Sequence, residues 1–186
     1  MLIKLLKWLV GLVAVAGLCL GATVLVLRFG DGPTGMIAGG AFTTGEPWQG
    51  DEPDWSFLTD RQEVEFQLLD PERSRTTWIV AHEGRIYIPS GYMTSALGKL
   101  WKQWPPEAEK DGRAILRVDG RLYPRRLVRI QESPALPAII SELQRKYLGG
   151  LGPDGVASDD IIRSGLDQVK SGSLWVFELA PRADGN

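Results

Sequence analysis

Thr76-Thr77-Trp78-Ile79-Val80-Ala81-His82 turns at Glu83-Gly84 and returns as Arg85-Ile86-Tyr87-Ile88-Pro89. Further along, Ala114-Ile115-Leu116-Arg117-Val118 turns at Asp119-Gly120 and returns as Arg121-Leu122-Tyr123. An acidic residue followed by glycine suits a two-residue hairpin turn, whose central residues both need positive φ. Counting back from Glu83-Gly84 pairs Ala81 with Ile86 and Ile79 with Ile88 on one face. Trp78, Val80, His82 and Tyr87 fall on the other. Both faces are part apolar, the pattern of a sheet that curls on itself or is covered from outside. The second hairpin pairs Leu116 with Tyr123 and Val118 with Arg121. Its return strand continues through Pro124 to Ile130, with Pro124 marking a bulge or an edge.

Outward from the hairpins, Val64-Glu65-Phe66-Gln67-Leu68 alternates strictly and reads as a strand with one wet face, followed by a turn at Asp70-Pro71-Glu72-Arg73. Leu174-Trp175-Val176-Phe177-Glu178-Leu179 reads as a last strand. Strands over 64–69, 77–82, 85–89, 113–118, 121–130 and 174–179 make six, enough to close a small barrel. A helix over 95–104 is closed by Pro105-Pro106. A second, over 135–148, places Leu136, Ile139, Ile140, Leu143 and Tyr147 at helical spacing and ends at Gly149-Gly150. Ser158-Asp159-Asp160 caps a third, over 158–170.

Residues 1–28 are of a different kind. Leu9 to Leu27 carries no charge, and Leu5-Leu6 extend the apolar run past Lys7-Trp8. Nineteen uncharged residues span roughly 28 Å as a helix, close to the hydrocarbon thickness of a bilayer. Lys4 and Lys7 precede the span and only Arg28 follows it closely, which places the N-terminus in the cytoplasm and the following domain outside. A cleaved signal peptide shares the charged start. The apolar run is longer than a signal core, however, and no small-x-small site follows it, so the reading is a retained anchor contacting the bilayer through residues 5–27. Residues 29–60 begin with a Gly-, Pro- and Thr-rich stretch that reads as a linker merging into the domain edge. Within them Asp54-Trp55-Ser56-Phe57 reads as an aromatic plug. The division is thus 1–28 anchor, 29–60 linker and domain edge, 61–180 barrel, and 181–186 tail.

Composition excludes several functions. Hydrophobic residues make up 44% and charged residues 24% of the chain, enough for a real core. All 23 acidic residues follow Phe29, along with 18 of the 21 basic ones. The soluble part is therefore acidic, which argues against nucleic acid as a partner. The single cysteine, Cys19, lies in the apolar run, so no disulfide or thiol nucleophile is available to the domain. One histidine, His82, beside a hairpin turn and without an identifiable carboxylate partner, supports neither a metal site nor an acid–base pair. No residue is assigned a catalytic role. Arg113, Arg117, Arg121, Arg125, Arg126 and Arg129 form a basic ribbon, read either as an anion site or as a sheet face paired with Asp119, Glu107 and Glu109. Trp101 and Trp104 would stack on a ring, dip into a bilayer or pack on the barrel.

Trp78, Gly84-Arg85-Ile86-Tyr87-Ile88, Lys99, Trp101, Arg113 and Leu116-Arg117-Val118-Asp119-Gly120-Arg121-Leu122-Tyr123 resemble the split β-barrel flavin-binding superfamily, which includes the pyridoxamine-phosphate-oxidase-like and deazaflavin-dependent reductases. Arg145-Lys146-Tyr147 and Trp175–Leu179 are similar to its closing helix and strand. The resemblance implies a mainly β, α+β fold: a six-stranded antiparallel split β-barrel with flanking helices, preceded here by one transmembrane helix. It also implies FMN or a deazaflavin bound against the barrel, commonly in a homodimer. Ser90, Thr94, Ser95 and Lys99 would then hold the phosphate, and Arg117, Tyr123 and Arg125 would line the groove. The alternative is a non-catalytic envelope module using the barrel for protein or lipid contacts.

Overall fold

The computed structural model describes residues 2–96, 98, 102–150, 152, 155 and 157–182. After helix α1 (Leu2–Arg28) come β1 (Glu46–Pro47), a 3-10 turn at Trp55–Leu58, β2 (Glu63–Leu69), β3 (Glu72–Trp78), β4 (Val80–His82) and β5 (Arg85–Ser90). Then follow α2 (Trp104–Lys110), β6 (Arg113–Val118), β7 (Arg121–Ile130) and α3 (Leu136–Leu143), which runs on into a π-helical Gln144–Leu148. Helix α4 (Asp159–Lys170) and β8 (Trp175–Pro181) complete the chain.

Seven strands pair in the order β3-β2-β6-β7-β8-β5-β4, every neighbour antiparallel, while β1 pairs in parallel with the start of β7. The two outermost strands, β3 and β4, are separated in sequence by Ile79 alone. A sheet whose two edges are joined by one residue must curl until those edges meet. This is the split, half-barrel architecture. Both hairpins turn as their dipeptides require, with positive φ at Glu83 and Gly84 and at Asp119 and Gly120. The pairs Ala81–Ile86, Leu116–Tyr123 and Val118–Arg121 fall in the expected register, whereas the expected Ile79–Ile88 pair does not form, because Ile79 lies outside β4 and Ile88 pairs with Phe177 of β8.

The strand count differs from six for a local reason. The expected strand over 77–82 is two strands, because the chain breaks at Ile79 to change edges. Ile79 N donates to Tyr147 Oη at 3.0 Å, and Ile79 O accepts from Lys146 Nζ at 2.7 Å. Side chains thus supply what a ladder would have, so the break leaves no buried backbone group unpaired. The expected turn at 70–73 is tighter, and Glu72 already pairs with Leu69. Pro105-Pro106, expected to close a helix, instead stand in the first turn of α2, where their missing N–H groups cost nothing. Of the expected helix over 95–104, Ala96 and Gly98 are helical, and Leu97, Lys99, Leu100 and Trp101 lie outside the described residues. Pro124 sits in a central strand, but β1 stops opposite Leu122 and β8 ends opposite Arg125. The proline therefore meets a local edge.

Two cores follow. Inside the curl, Trp55, Phe66, Leu116, Ile88 and Phe177 are essentially inaccessible. Outside β4, β5 and β8, Val80, Tyr87 and Val176 meet Leu136, Ile139 and Leu143 of α3 and Val169 of α4. Gly165 of α4 lets the two helices approach, since a Cβ there would lie 2.6 Å from Ile140 Cγ2. Helix α1 is long and apolar enough to cross a membrane, and its most apolar stretch is not buried against the rest of the chain.

Residues 30–48, which composition suggests are a linker, are fastened to the sheet. Gly39 and Ser74 exchange both backbone hydrogen bonds (3.1 and 3.2 Å), so this strap covers the free edge of β3. Asp31 accepts from the Thr43 and Thr44 amides and the Thr44 hydroxyl.

Candidate functional site

A groove of about 580 Å³ runs between β3 and the end of β5 on one side and α3, its π-helical extension and α4 on the other. Its apolar surface comes from Trp78, Trp104, Ile140, Leu143 and Leu148. Trp78 is 41% exposed and stacked flat on Tyr147, with ring centroids 4.3 Å apart. Volume and mixed lining fit a drug-sized ligand. The loop 91–95 closes one end. Tyr92 takes positive φ there, and Gly98 approaches so closely that a Cβ would lie 1.8 Å from Tyr92 O.

Ser90, Thr94 and Ser95 all reach this groove. Two of their hydroxyls are already engaged. Ser90 is buried and donates to Met93 Sδ at 3.3 Å, while Ser95 Oγ donates to Tyr92 O and accepts from Gly98 N. The Thr94 side chain is exposed. Lys99 lies outside the described residues. Its neighbour Lys102 does line the groove, and among the described residues its ammonium contacts only the Tyr92 ring, 5.9 Å away. Burial depresses the Lys102 pKa below its ordinary value.

Arg75 is the second cation of the groove. Its nearest carboxylate is Glu107 at 3.8 Å, and its Nε is buried without a hydrogen-bond partner. Desolvation lowers its pKa as well. A half-buried guanidinium with its Nε unmet, beside an ammonium that has no ion pair among the described residues, marks a place where an anion would be stabilised. Neither residue was legible as a site residue. Arg75 sits among threonines on an unremarkable strand, and Lys102 sits three positions from the lysine that the resemblance singles out.

Arg117, Tyr123 and Arg125 do not line this groove. Arg117 points from the outer face of β6 to the strap, donating from Nε to Glu65 (2.7 Å) and from Nη1 to Asp31 (3.0 Å), with Phe42 beneath it at 4.1 Å. Tyr123 is in the barrel core, edge-on to Trp55 at 5.0 Å. Arg125, 2% exposed, holds both oxygens of Glu52 at 2.8 and 2.9 Å and lies over Trp55. It locks the 3-10 plug onto the barrel end. Alternation along β6 and β7 therefore divides the basic ribbon among separate tasks. Arg113 and Arg129 close on Asp111 and Glu109. His82 is part exposed, with the solvated Glu83 at 3.9 Å. Among the described residues no cluster of His, Cys, Asp and Glu could hold a metal.

The sequence matches no protein-family model and no curated protein. The fold is similar to the crystal structure of the conserved hypothetical protein Rv2991 from Mycobacterium tuberculosis. The identity is 12% and the TM-score 0.49, over 77% of this chain and 86% of that one.

Proposed function

We propose that this is a membrane-anchored split-barrel protein whose groove binds a phosphate-bearing flavin, FMN or a deazaflavin, as an oxidoreductase-like domain. One observation carries the reading: two cations with few partners among the described residues, Arg75 and Lys102, share a groove with an exposed aromatic face, Trp78. Arg75 and Lys102 would hold the phosphate, with Thr94 adding a hydroxyl, and Trp78 would face the ring system. The bound group would supply hydride chemistry, while the chain supplies position and charge. The superfamily resemblance and the hydroxyls of the 90–95 loop support the same choice. The N-terminal helix would hold the domain at the membrane, with the N-terminus in the cytoplasm by its lysine bias.

The test is titration of the full chain in detergent micelles with FMN and with a deazaflavin, read by ligand fluorescence. Saturable binding is expected, weakened roughly tenfold or more by Lys102→Ala through loss of a charge-assisted contact. Affinity should also fall as pH rises, beginning below the ordinary lysine value of 10.5. The folded, ligand-free ammonium gives up its proton early, and an uncharged amine cannot hold an anion. No fluorescence change with either compound at high micromolar concentration would remove the cofactor and leave the scaffold reading.

A further inference from the structure

The end of α1 is tied to the sheet almost without slack. Gly30 O, two residues beyond Arg28, accepts from Gly40 N at 3.1 Å, and the next residue back on that limb, Gly39, is paired with Ser74. Ser74 Oγ donates to Gly40 O at 2.6 Å, closing the same junction. Arg73 and Arg75 flank Ser74 on one face of β3, so the junction holds them beside the helix exit. Arg28 and Arg73 both lie near enough to Arg75 to act on it electrostatically. Arg113, Arg117, Arg125 and Arg129, by contrast, are each closed on a carboxylate. Among the described residues Arg28 and Arg73 have no ion pair, and Arg75 has only Glu107 at 3.8 Å. Two arginines without an ion pair, Arg28 and Arg73, beside the half-buried Arg75 make a locally positive patch in a domain with an acidic excess, and such a patch attracts an anionic surface.

Exposed apolar side chains gather at the same place. Phe29 is 79% exposed at the helix exit, and Met36, at the tip of the strap, is 84% exposed on the rim of the groove. Cations beside exposed apolar side chains are the composition of a surface that meets lipid headgroups.

We infer that the helix-exit face formed by Arg28, Phe29, Met36 and Arg73 rests on an anionic lipid surface, so that the groove, with Arg75 inside it, opens beside the headgroups. The inference depends on the reading of α1 as a membrane anchor. The short tether keeps the face within reach of the bilayer, and the arginines take lipid phosphates as counter-ions.

The full chain carrying Cys19→Ala is reconstituted into phosphatidylcholine vesicles with and without phosphatidylglycerol. Spin labels are placed at Met36→Cys, at Val13→Cys within α1, and at Val128→Cys on β7. With anionic lipid, the labels at 36 and 13 should collide more with oxygen than with a water-soluble nickel chelate, and the label at 128 should do the reverse. Arg73→Gln should shift the balance at position 36 toward water by roughly fivefold, the factor expected of one arginine near an anionic surface. A water-like label at 36 with a lipid-like label at 13 would overturn the face and leave the anchor standing. Water-like labels at both positions would overturn the anchor, and the face with it. Equal behaviour at 36 with and without phosphatidylglycerol would overturn the role of the arginines.

Discussion

Arg117 ties together residues from three parts of the chain. It holds Glu65 of β2 and Asp31 of the strap while lying over Phe42. Arg117→Ala would strip both carboxylates of their cation. Both are part exposed, so the expected loss is about 2 kcal/mol, below the cost of breaking a fully buried pair. Urea unfolding of the full chain in micelles, followed by tryptophan fluorescence, measures it. Asp31 adds a pH signature. The Thr44 hydroxyl foremost, then the Thr43 and Thr44 amides and Arg117, hold its carboxyl well below the ordinary 3.8 against an opposing cost of burial. A depressed carboxyl stabilises the fold fully above the unfolded value and progressively less as pH falls below it. Stability should therefore drop below about pH 4, and Asp31→Asn should flatten that part of the profile. An unchanged acid limb in the variant would show that the strap's anchor lies elsewhere.

At the level of elements, the break between β3 and β4 shapes the sheet more than any single strand does. Trp78 and Val80 look like neighbours in one continuous strand, because both suit a pleated, half-buried surface. What separates them is Tyr147, which comes from a helix 68 residues further on and bonds Ile79 N. Burial pushes the Tyr147 hydroxyl up to about 12, with the Ile79 bond opposing the shift. Tyr147→Phe keeps the stack on Trp78 but leaves the Ile79 N–H unpaired in a residue with no exposure. The expected cost is about 1–3 kcal/mol. Hydrogen exchange should show it as selective loss of protection in β4 and β5, with β6 and β7 unchanged. Equal loss across the whole sheet would mean that the joint is not a local device. The second hairpin needs no such help, and its register was legible from Asp119-Gly120 and the flanking alternation alone.

For the whole molecule, the question is how firmly the apolar helix is joined to the curled sheet. Composition suggests a loose joint, since seven glycines between Gly30 and Gly50 look like a flexible chain. Several of them instead permit close backbone approach. A Cβ at Gly39 would lie 1.7 Å from Gly32 O, and one at Gly32, where φ is +76°, would lie 2.0 Å from Arg117 Nη2. Gly39→Ala should peel the strap from β3, at a cost of roughly 1–3 kcal/mol. Limited proteolysis should then cut within residues 30–45, where the parent chain resists. Cleavage at equal rates in both chains would restore the flexible-linker view and remove the physical basis for holding the groove near the helix.

The sequence by itself determined the local features: both hairpin turns, the register of the second hairpin, an apolar helix long enough to cross a membrane, a capped amphipathic α4, and the antiparallel strands and flanking helices. Each follows from a dipeptide's backbone preference or from a short period of polarity, so neighbours in the chain carry all the information. Only the tertiary structure decided that Ile79 is a joint, that a glycine-rich segment is a fastened strap, and that Arg75 and Lys102 share a groove while Arg117, Tyr123 and Arg125 do not. Those assignments depend on partners far away in the chain. An arginine's role is set by which carboxylate, ring or open space the fold brings to its end, and no local pattern of residues records that.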